Sequence, residues 1–205
     1  MKNVSTLQVF GDSIVKNFLS SDWKDREQSL TSIGRSVGNA KWMQGKEPSA
    51  VFATATEMLS KTLKDKVAPI FHASLDLVST LLAAMSPLLS QSVLRSGMDP
   101  LMPTLVHRCG NLNSRIHEAS LQALLGVASC SPFGYGYVGP FALTELAKKN
   151  RDASQSAQMY GRLDLLHSLL VTYRSTDDLS SEDILRFSKL GLDMPDDKVR
   201  NEAHS

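Results

Sequence analysis

Three glycines in the segment Gly134-x-Gly136-x-x-Gly139 match the spacing of the dinucleotide-binding fingerprint. That motif holds a pyrophosphate only where it joins a strand to the following helix inside a β-α-β unit. No stretch of the chain alternates apolar and polar residues convincingly, so no strand is expected before Gly134. We interpret the segment as a flexible connection between helices, with Pro132 and Pro140 at its ends. No nucleotide cofactor is expected.

His107 and Cys109, two residues apart, are the nearest approach to a metal-binding pair. A zinc site needs a second pair of ligands at a suitable spacing, and none is found in the sequence. A buried cysteine beside a surface histidine is the expected arrangement. The other histidines are expected on helix surfaces or in helix packing, and none pairs with a nucleophile: His72, His117, His167 and His204. The sequence therefore predicts no metal, no catalytic residue and no enzyme.

Composition limits the class of protein further. The 205 residues are 42% hydrophobic and 21% charged with a formal charge of +1, which argues against disorder and against a general affinity for nucleic acid. The N-terminal sequence predicts no signal peptide, and the longest apolar run, residues 81–85, is too short to span a membrane. Two cysteines without C-x-x-C spacing favour a reducing compartment, so we expect a cytoplasmic protein.

Hydrophobic residues at helical spacing predict helices along the whole chain. Ser180, followed three residues later by Asp183, resembles a capping box at the start of one of them. The predicted helical segments are residues 7–18, 48–62, 70–85, 116–127, 140–150, 155–174 and 182–190. No segment requires a strand, so the predicted fold class is all-α.

The helices are predicted to form a repeat. A small residue recurs inside the second helix of successive pairs, at Ala73, Ala119, Gly161 and Ala203, with separations of 46, 42 and 42 residues. This is the range of HEAT and armadillo repeats, and small residues let paired helices approach closely. Residues 199–203 also have the Val-Arg-x-x-Ala pattern that opens second helices of HEAT repeats. We predict one α-solenoid of HEAT-like helix pairs, a single domain over residues 1–205, with repeats at about 7–40, 48–86, 87–130, 138–174 and 180–205, the last truncated. A chance alignment of small residues is the alternative.

The turn inside the first predicted pair, residues 21–26, places Trp23 among charged residues. It resembles the first-repeat turn of TOG domains, the tubulin-binding HEAT-type modules of microtubule polymerases and CLASP proteins. Four segments resemble one branch of this family, that of a centrosomal protein of ciliary tips: residues 9–12, 23–27, 50–52 and 71–75. The resemblance extends from about Val9 to Ala203 and is looser beyond Ser129.

The resemblance implies a module that binds αβ-tubulin or microtubules along the edge formed by its intra-repeat turns. A desolvated tryptophan can anchor such an interface, while cations at its rim attract an acidic partner and fix the register. The implied tubulin contacts are Trp23, Lys24, Arg26, Lys64, Lys66, Asn113, Arg115 and Lys198. The fourth turn, residues 151–155, is less basic than TOG turns often are. Arg200 occupies the position of the HEAT arginine that often holds neighbouring repeats together.

The same resemblance implies a cytoskeletal location at a cilium tip, centriole or basal body, and a role in microtubule growth or its regulation. We expect a monomer without a nucleic-acid partner, membrane partner or cofactor. One alternative function is a general HEAT-repeat scaffold directed at other proteins. Two local alternatives also stay open: Trp23 could fold back onto the first helix pair, and Trp42 with Met43 could form either an exposed aromatic patch or the packing of an inter-repeat linker.

Overall fold

A computed structural model describes residues 3–144, 146, 153–173 and 179–205. Within these ranges the chain forms helices and no strand, which confirms the all-α fold class. The chain divides into two compact units, Met1–Leu101 and Met102–Ser205.

The first unit is built from two packed helix pairs and the helices beside them. Its helices are α1 (Asn3–Phe10), α2 (Asp12–Phe18), α3 (Trp23–Val37), α4 (Ala40–Met43), α5 (Pro48–Thr62), α6 (Ala68–Met85) and α7 (Gln91–Met98). α2 packs on α3 and α5 packs on α6, while α3 lies along α6 and so joins the two pairs. Fully buried side chains such as Leu30, Phe52 and Phe71 form the core of this unit.

The segment of residues 7–18 is two helices, where the sequence predicted one. Gly11 separates them with a φ of +85°, a conformation that glycine adopts without a steric penalty. Trp42 stacks on Phe10 with ring centroids 5.8 Å apart, and Lys46 Nζ lies 4.3 Å from the centre of the Trp42 ring. The same Nζ donates to the Val9 carbonyl at 3.1 Å. Trp42 therefore packs the inter-repeat linker onto α1 and does not form an exposed aromatic patch.

α6 is a core helix with an apolar composition. Among the described residues it is the one helix long and apolar enough to cross a membrane, with a mean hydropathy of 1.4. Half of it is buried in the protein, against α3 and α5, while Asp76 and Ser79 are exposed. A core helix meets the same criteria of length and composition, and these contacts are those of a core helix.

The second unit contains three successive helix pairs. Its helices are α8 (Met102–Cys109), α9 (Ser114–Ser129), α10 (Tyr135–Ala142), α11 (Ala153–Tyr173), α12 (Ser181–Leu192) and α13 (Asp197–His204). α8 packs on α9, α10 on α11 and α12 on α13, and α11 contacts both α9 and α13. The cap predicted for α12 is confirmed, because the Ser180 hydroxyl accepts from the Asp183 N–H at 3.3 Å.

The flexible connection predicted around the three glycines is wrong. α10 begins at Tyr135, directly after Gly134, whose φ is +76°. The ring of Tyr137 lies 5.0 Å from that of Phe133 and 5.5 Å from that of Phe141, so aromatic contacts one helical turn apart stabilise this helix despite Pro140 inside it. The helix predicted from residue 140 begins earlier than expected and ends at residue 142, and residues 145 and 147–150 lie outside the described part.

The recurring small residues all lie in second helices of the pairs: α6, α9, α11 and α13. In the last pair, a Cβ added to Gly191 of α12 would meet the Ala203 side chain at 2.9 Å, so the partner helices do approach closely there. Gly161 serves a different contact, because a Cβ at that position would lie under 3.0 Å from the backbone of Cys109, in the preceding pair. Gly161 therefore permits the packing of successive pairs.

Candidate functional site

The first turn, residues 20–26, is fixed by hydrogen bonds within it. Asp22 caps α3, because its carboxylate accepts from the Lys24 N–H at 3.0 Å. The Ser20 hydroxyl donates to Asp25 at 2.7 Å, and Arg26 donates to the carbonyls of Ser20 and Ser21 at 3.1 and 3.0 Å. These bonds hold the backbone on both sides of Trp23, the first residue of α3.

The second turn, residues 63–67, is bound to the first turn through one carboxylate. Asp65 Oδ1 accepts from the Val67 N–H at 2.9 Å, just before α6 begins. Asp65 Oδ2 accepts from Arg26 Nη2 at 3.2 Å, and both side chains are about one-fifth exposed. A charged hydrogen bond between partly buried groups is stronger than a neutral one, so it fixes the spacing of the two turns.

Four of the predicted contact residues are exposed on these two turns. Trp23 retains 37% of its surface, and Lys24 Nζ lies 5.9 Å from the centre of its ring. Lys64 and Lys66 are exposed on either side of Asp65. Arg26 differs from them, because it is half-buried and its guanidinium is held by the two turns. The first unit therefore presents an indole and three lysines on a cross-linked pair of turns.

The third turn, residues 110–115, repeats this capping arrangement in the second unit. Asn111 accepts from the Asn113 N–H at 2.9 Å, and Asn113 accepts from the Arg115 N–H at 3.0 Å, which caps α9. Both predicted contact residues, Asn113 and Arg115, are exposed. Between the asparagines lies Leu112, with 79% of its surface exposed. Sequence reasoning missed this leucine, although an apolar residue between two turn-forming asparagines was a usable signal.

The first turn of α9 is joined to both neighbouring helices by His117. Its Nε2 lies 2.9 Å from a carboxylate oxygen of Asp164 on α11, and its Nδ1 contacts the carbonyl oxygen of Cys109 at the end of α8. The Tyr160 ring lies against the imidazole, with centroids 5.6 Å apart. Burial raises the pKa of the Cys109 thiol, and the nearby Asp164 carboxylate raises it further. The surface His107 and buried Cys109 expected from the sequence are both observed.

The fifth turn, residues 193–200, closely matches the first. Asp196 caps α13 by accepting from the Lys198 N–H at 2.9 Å, and Arg200 donates to the Met194 carbonyl at 2.8 Å. The other end of the Arg200 guanidinium contacts Asp197 of the same turn. Lys198 is exposed. Of the fourth turn, residues 151 and 152 lie outside the described part.

A cleft of about 640 Å³ lies in the second unit beside these turns. Its lining includes Leu112, Ser114, His117, Tyr160, Lys198 and Glu202. Burial raises the pKa of the Tyr160 hydroxyl, and the carboxylates of Asp164 and Glu202 add to the shift, so this phenol remains neutral at physiological pH. No cluster of three potential metal ligands is found among the described residues.

The packed helix pairs define a protein of the HEAT-like repeat class. The chain belongs to the family described as the TOG domain of centrosomal protein CEP104, whose sequence model matches residues 2–205. No curated protein matches the chain.

Solved structures share the fold at low sequence identity. One described as the CEP104 TOG domain is 19% identical, with a TM-score of 0.84 over 98% of this chain and 78% of its own. The TOG domain of human Cep104 is 18% identical, with a TM-score of 0.80 over 98% of this chain and 77% of its own. The TOG3 domain of Drosophila melanogaster Mini spindles is 14% identical, with a TM-score of 0.68 over 93% of this chain and 77% of its own. These similarities place the fold among TOG domains.

Proposed function

We propose that this chain binds αβ-tubulin through the turns of its helix pairs and turns over no substrate. The observation that carries the proposal is the first turn, where Trp23 is exposed beside Lys24 on a backbone fixed by hydrogen bonds. Membership of a TOG-domain family supports it.

The energetics of interfaces explain why this turn suits the task. An aromatic side chain that loses water on binding supplies much of the free energy of a complex, whereas cations at the rim mainly raise the association rate. Because the Asp22 cap and Arg26 already hold the turn, little conformational entropy is lost when Trp23 becomes covered. Lys64 and Lys66, held next to it through Asp65, add positive charge where an acidic surface would dock.

The eight predicted contact residues have different parts in this proposal. Trp23, Lys24, Lys64 and Lys66 contact tubulin from the first unit. Arg26 acts chiefly by holding the first two turns together, because its donors already face Ser20, Ser21 and Asp65. From the second unit the contacts are Asn113, Arg115 and Lys198, and the exposed Leu112 joins them.

The proposal also covers the wider role of the domain. We propose that residues 1–205 act as one monomeric domain of five repeats that assists microtubule growth or its regulation. The family is that of a centrosomal protein, which supports a cytoskeletal location. A place at ciliary tips, centrioles or basal bodies is the finer part of the proposal.

Size-exclusion chromatography with purified αβ-tubulin tests the tubulin contact. Trp23→Ala is expected to weaken binding by about 2 kcal/mol, roughly thirtyfold, because it removes the anchor. The double variant Lys64→Glu, Lys66→Glu is expected to weaken binding by reversing the charge of the second turn. Both losses appear as reduced co-elution at micromolar concentrations.

Matched controls exist in the same unit. Leu88→Ala removes another exposed apolar side chain, and the pair Arg35→Glu, Lys41→Glu makes the same charge change at exposed positions near the other end of α3. Neither control should alter co-elution. If the tested and control variants co-elute alike, the binding surface is wrong, and if the wild type does not co-elute at all, the general scaffold becomes the better hypothesis.

A further inference from the structure

The cleft of about 640 Å³ in the second unit belongs to the same edge as the proposed tubulin contacts. Its lining includes Leu112 and Ser114 of the third turn and Lys198 of the fifth turn. Its volume lies within the range of roughly 300–1,000 Å³ that is typical of sites enclosing a ligand. A protein docked on these turns would therefore cover the cleft.

Contacts with α11 hold the two helices on either side of the cleft. His117 Nε2 of α9 lies 2.9 Å from Asp164 Oδ2, and Glu202 Oε1 of α13 lies 2.8 Å from His167 Nδ1. Both partners belong to α11, which adds the short side chain of Ala157 to the lining. The cleft is therefore already formed in the free chain, and filling it costs little ordering of the protein.

An apolar side chain is held in water at the edge of this cleft. Leu112 is 79% exposed. Asn111 accepts from the Asn113 N–H at 2.9 Å and Asn113 accepts from the Arg115 N–H at 3.0 Å, so hydrogen bonds fix the backbone on both sides of the leucine. A partner that covered Leu112 would remove this apolar surface from water, which is favourable, without first having to order the turn.

The charges of the cleft differ from those of the first two turns. Besides His117, the charged side chains among the described residues of its lining are Lys198, Asp196 and Glu202. Asp196 accepts from the Lys198 N–H at 2.9 Å, and Glu202 is paired with a histidine of α11. Two carboxylates beside one lysine do not attract an acidic segment, and the lysine repels a basic one. An uncharged segment fits this balance best.

We propose that the cleft receives an uncharged loop of tubulin, with an apolar side chain against Leu112 and Ala157 and backbone carbonyls towards the donors of the lining. Those donors are the hydroxyl groups of Ser114 and Tyr160 and the side-chain amide of Asn201. The inference rests on the proposed function and gives the two units different tasks. The first unit presents a projecting indole to an acidic surface, and the second unit encloses a side chain of its partner.

Leu112→Ala and Ala157→Phe test the cleft in two ways. The first removes apolar surface at its edge and the second places a ring inside it, and each should weaken tubulin binding about tenfold. Leu185→Ala, at a 61% exposed position of α12, and Gln122→Phe, at an exposed position of α9, make the same changes outside the lining and should bind as the wild type does. If urea denaturation shows that Ala157→Phe is unstable, Ala153→Phe places the ring at an exposed position of the lining instead.

Salt distinguishes an uncharged occupant from an acidic one. Calorimetric titrations with tubulin are compared at about 0.05 M and about 0.5 M salt, where screening of exposed charges differs strongly. The factor lost in Lys64→Glu, Lys66→Glu should shrink at the higher concentration, whereas the factors lost in Leu112→Ala and Ala157→Phe should stay the same. If the cleft variants follow the lysine variant, the occupant is charged and the inference is wrong.

Hydroxyl-radical footprinting of the complex locates the occupant directly. Oxidation of Leu112 and Tyr160 should fall when tubulin binds, while Leu185 should be oxidised as in the free chain. The inference is overturned if Tyr160 is oxidised equally in both states, or if both cleft variants bind as the wild type does while Trp23→Ala does not. Either result leaves the proposed function standing. A wild type that does not bind tubulin would instead overturn the proposed function, and the occupant assigned to the cleft with it.

Discussion

The first and third turns are joined to the next repeat by chemically different pairs. In the first unit Arg26 reaches Asp65 at 3.2 Å, and in the second unit His117 reaches Asp164 at 2.9 Å. Each basic residue lies four positions after an Asp or Asn that caps the same helix, Asp22 or Asn113. The guanidinium is always charged and offers five donors, whereas the imidazole offers two donors only when protonated.

The two links therefore differ in the number of hydrogen bonds that their basic residues can make. The turn that carries Trp23 is held at any physiological pH, because Arg26 binds two carbonyls of its own turn as well as Asp65. The turn that carries Leu112 is held by one ring, which contacts the Cys109 carbonyl and the Asp164 carboxylate. The indole, the strongest candidate anchor, thus lies on the turn whose basic residue makes more hydrogen bonds.

The largest effect is expected where the second unit depends on close backbone approach. In Gly161→Ala the new Cβ would lie under 3.0 Å from the backbone of Cys109 and Gly110, which cannot turn aside as a side chain can. It would also displace the Cys109 carbonyl that contacts His117. We expect the free energy of unfolding, from urea denaturation followed by circular dichroism, to fall by about 3 kcal/mol.

Gly126→Ala is the matched control for that substitution. Gly126 lies in α9 of the same unit, and a Cβ there would meet nothing within 4 Å. Since alanine favours a helix more than glycine does, this variant should gain about 0.5–1 kcal/mol. Equal stability of the two alanine variants would show that α11 does not pack against the end of α8 in the way described.

A smaller effect is expected from removing the carboxylate that joins the first two turns. Asp65→Asn keeps an oxygen for the Val67 N–H but loses the charge opposite Arg26, and should cost about 1 kcal/mol of unfolding free energy. Asp65→Ala loses both bonds and should cost about 2 kcal/mol. Asp76→Asn, at an exposed position of α6, should change stability by less than about 0.5 kcal/mol. Should all three variants unfold alike, the link between the turns contributes nothing.

The sequence predicted the helices best where hydrophobic spacing and start signals agreed. α5 begins at Pro48 as expected, and the Ser180 cap of α12 is present. Predictions were wrong where glycine conformation and tertiary packing decide the outcome: Gly11 breaks a continuous apolar stripe, and the segment after Gly134 is helical because Tyr137 packs against aromatic neighbours. Local hydrophobic periodicity does not reveal such contacts.

The site could be predicted in part. Trp23 was singled out as a candidate because an indole among charges is unusual in a short turn, and it is exposed there. An Asp/Asn-x-Lys/Arg pattern is present in the sequence but was not used. It places a basic residue two positions after a helix cap, at Lys24, Arg115 and Lys198. The partner of Arg26 could not be found in this way, because Asp65 lies 39 residues away and only the packing of the repeats brings the two together.

The smallest effect separates the two arginines at matching positions of the first and fifth turns. Arg26 and Arg200 each donate to a carbonyl six residues earlier, but among the described residues the carboxylate partner of Arg200 is Asp197 of its own turn. Asp197 is 83% exposed, whereas Asp65 is 20% exposed, so water screens the Arg200 pair far more. Double-mutant cycles to alanine, measured by urea denaturation, should give a coupling of about 1 kcal/mol for Arg26 with Asp65 and at most about 0.3 kcal/mol for Arg200 with Asp197. Equal couplings would mean that the cross-repeat position of the first pair adds nothing to its strength.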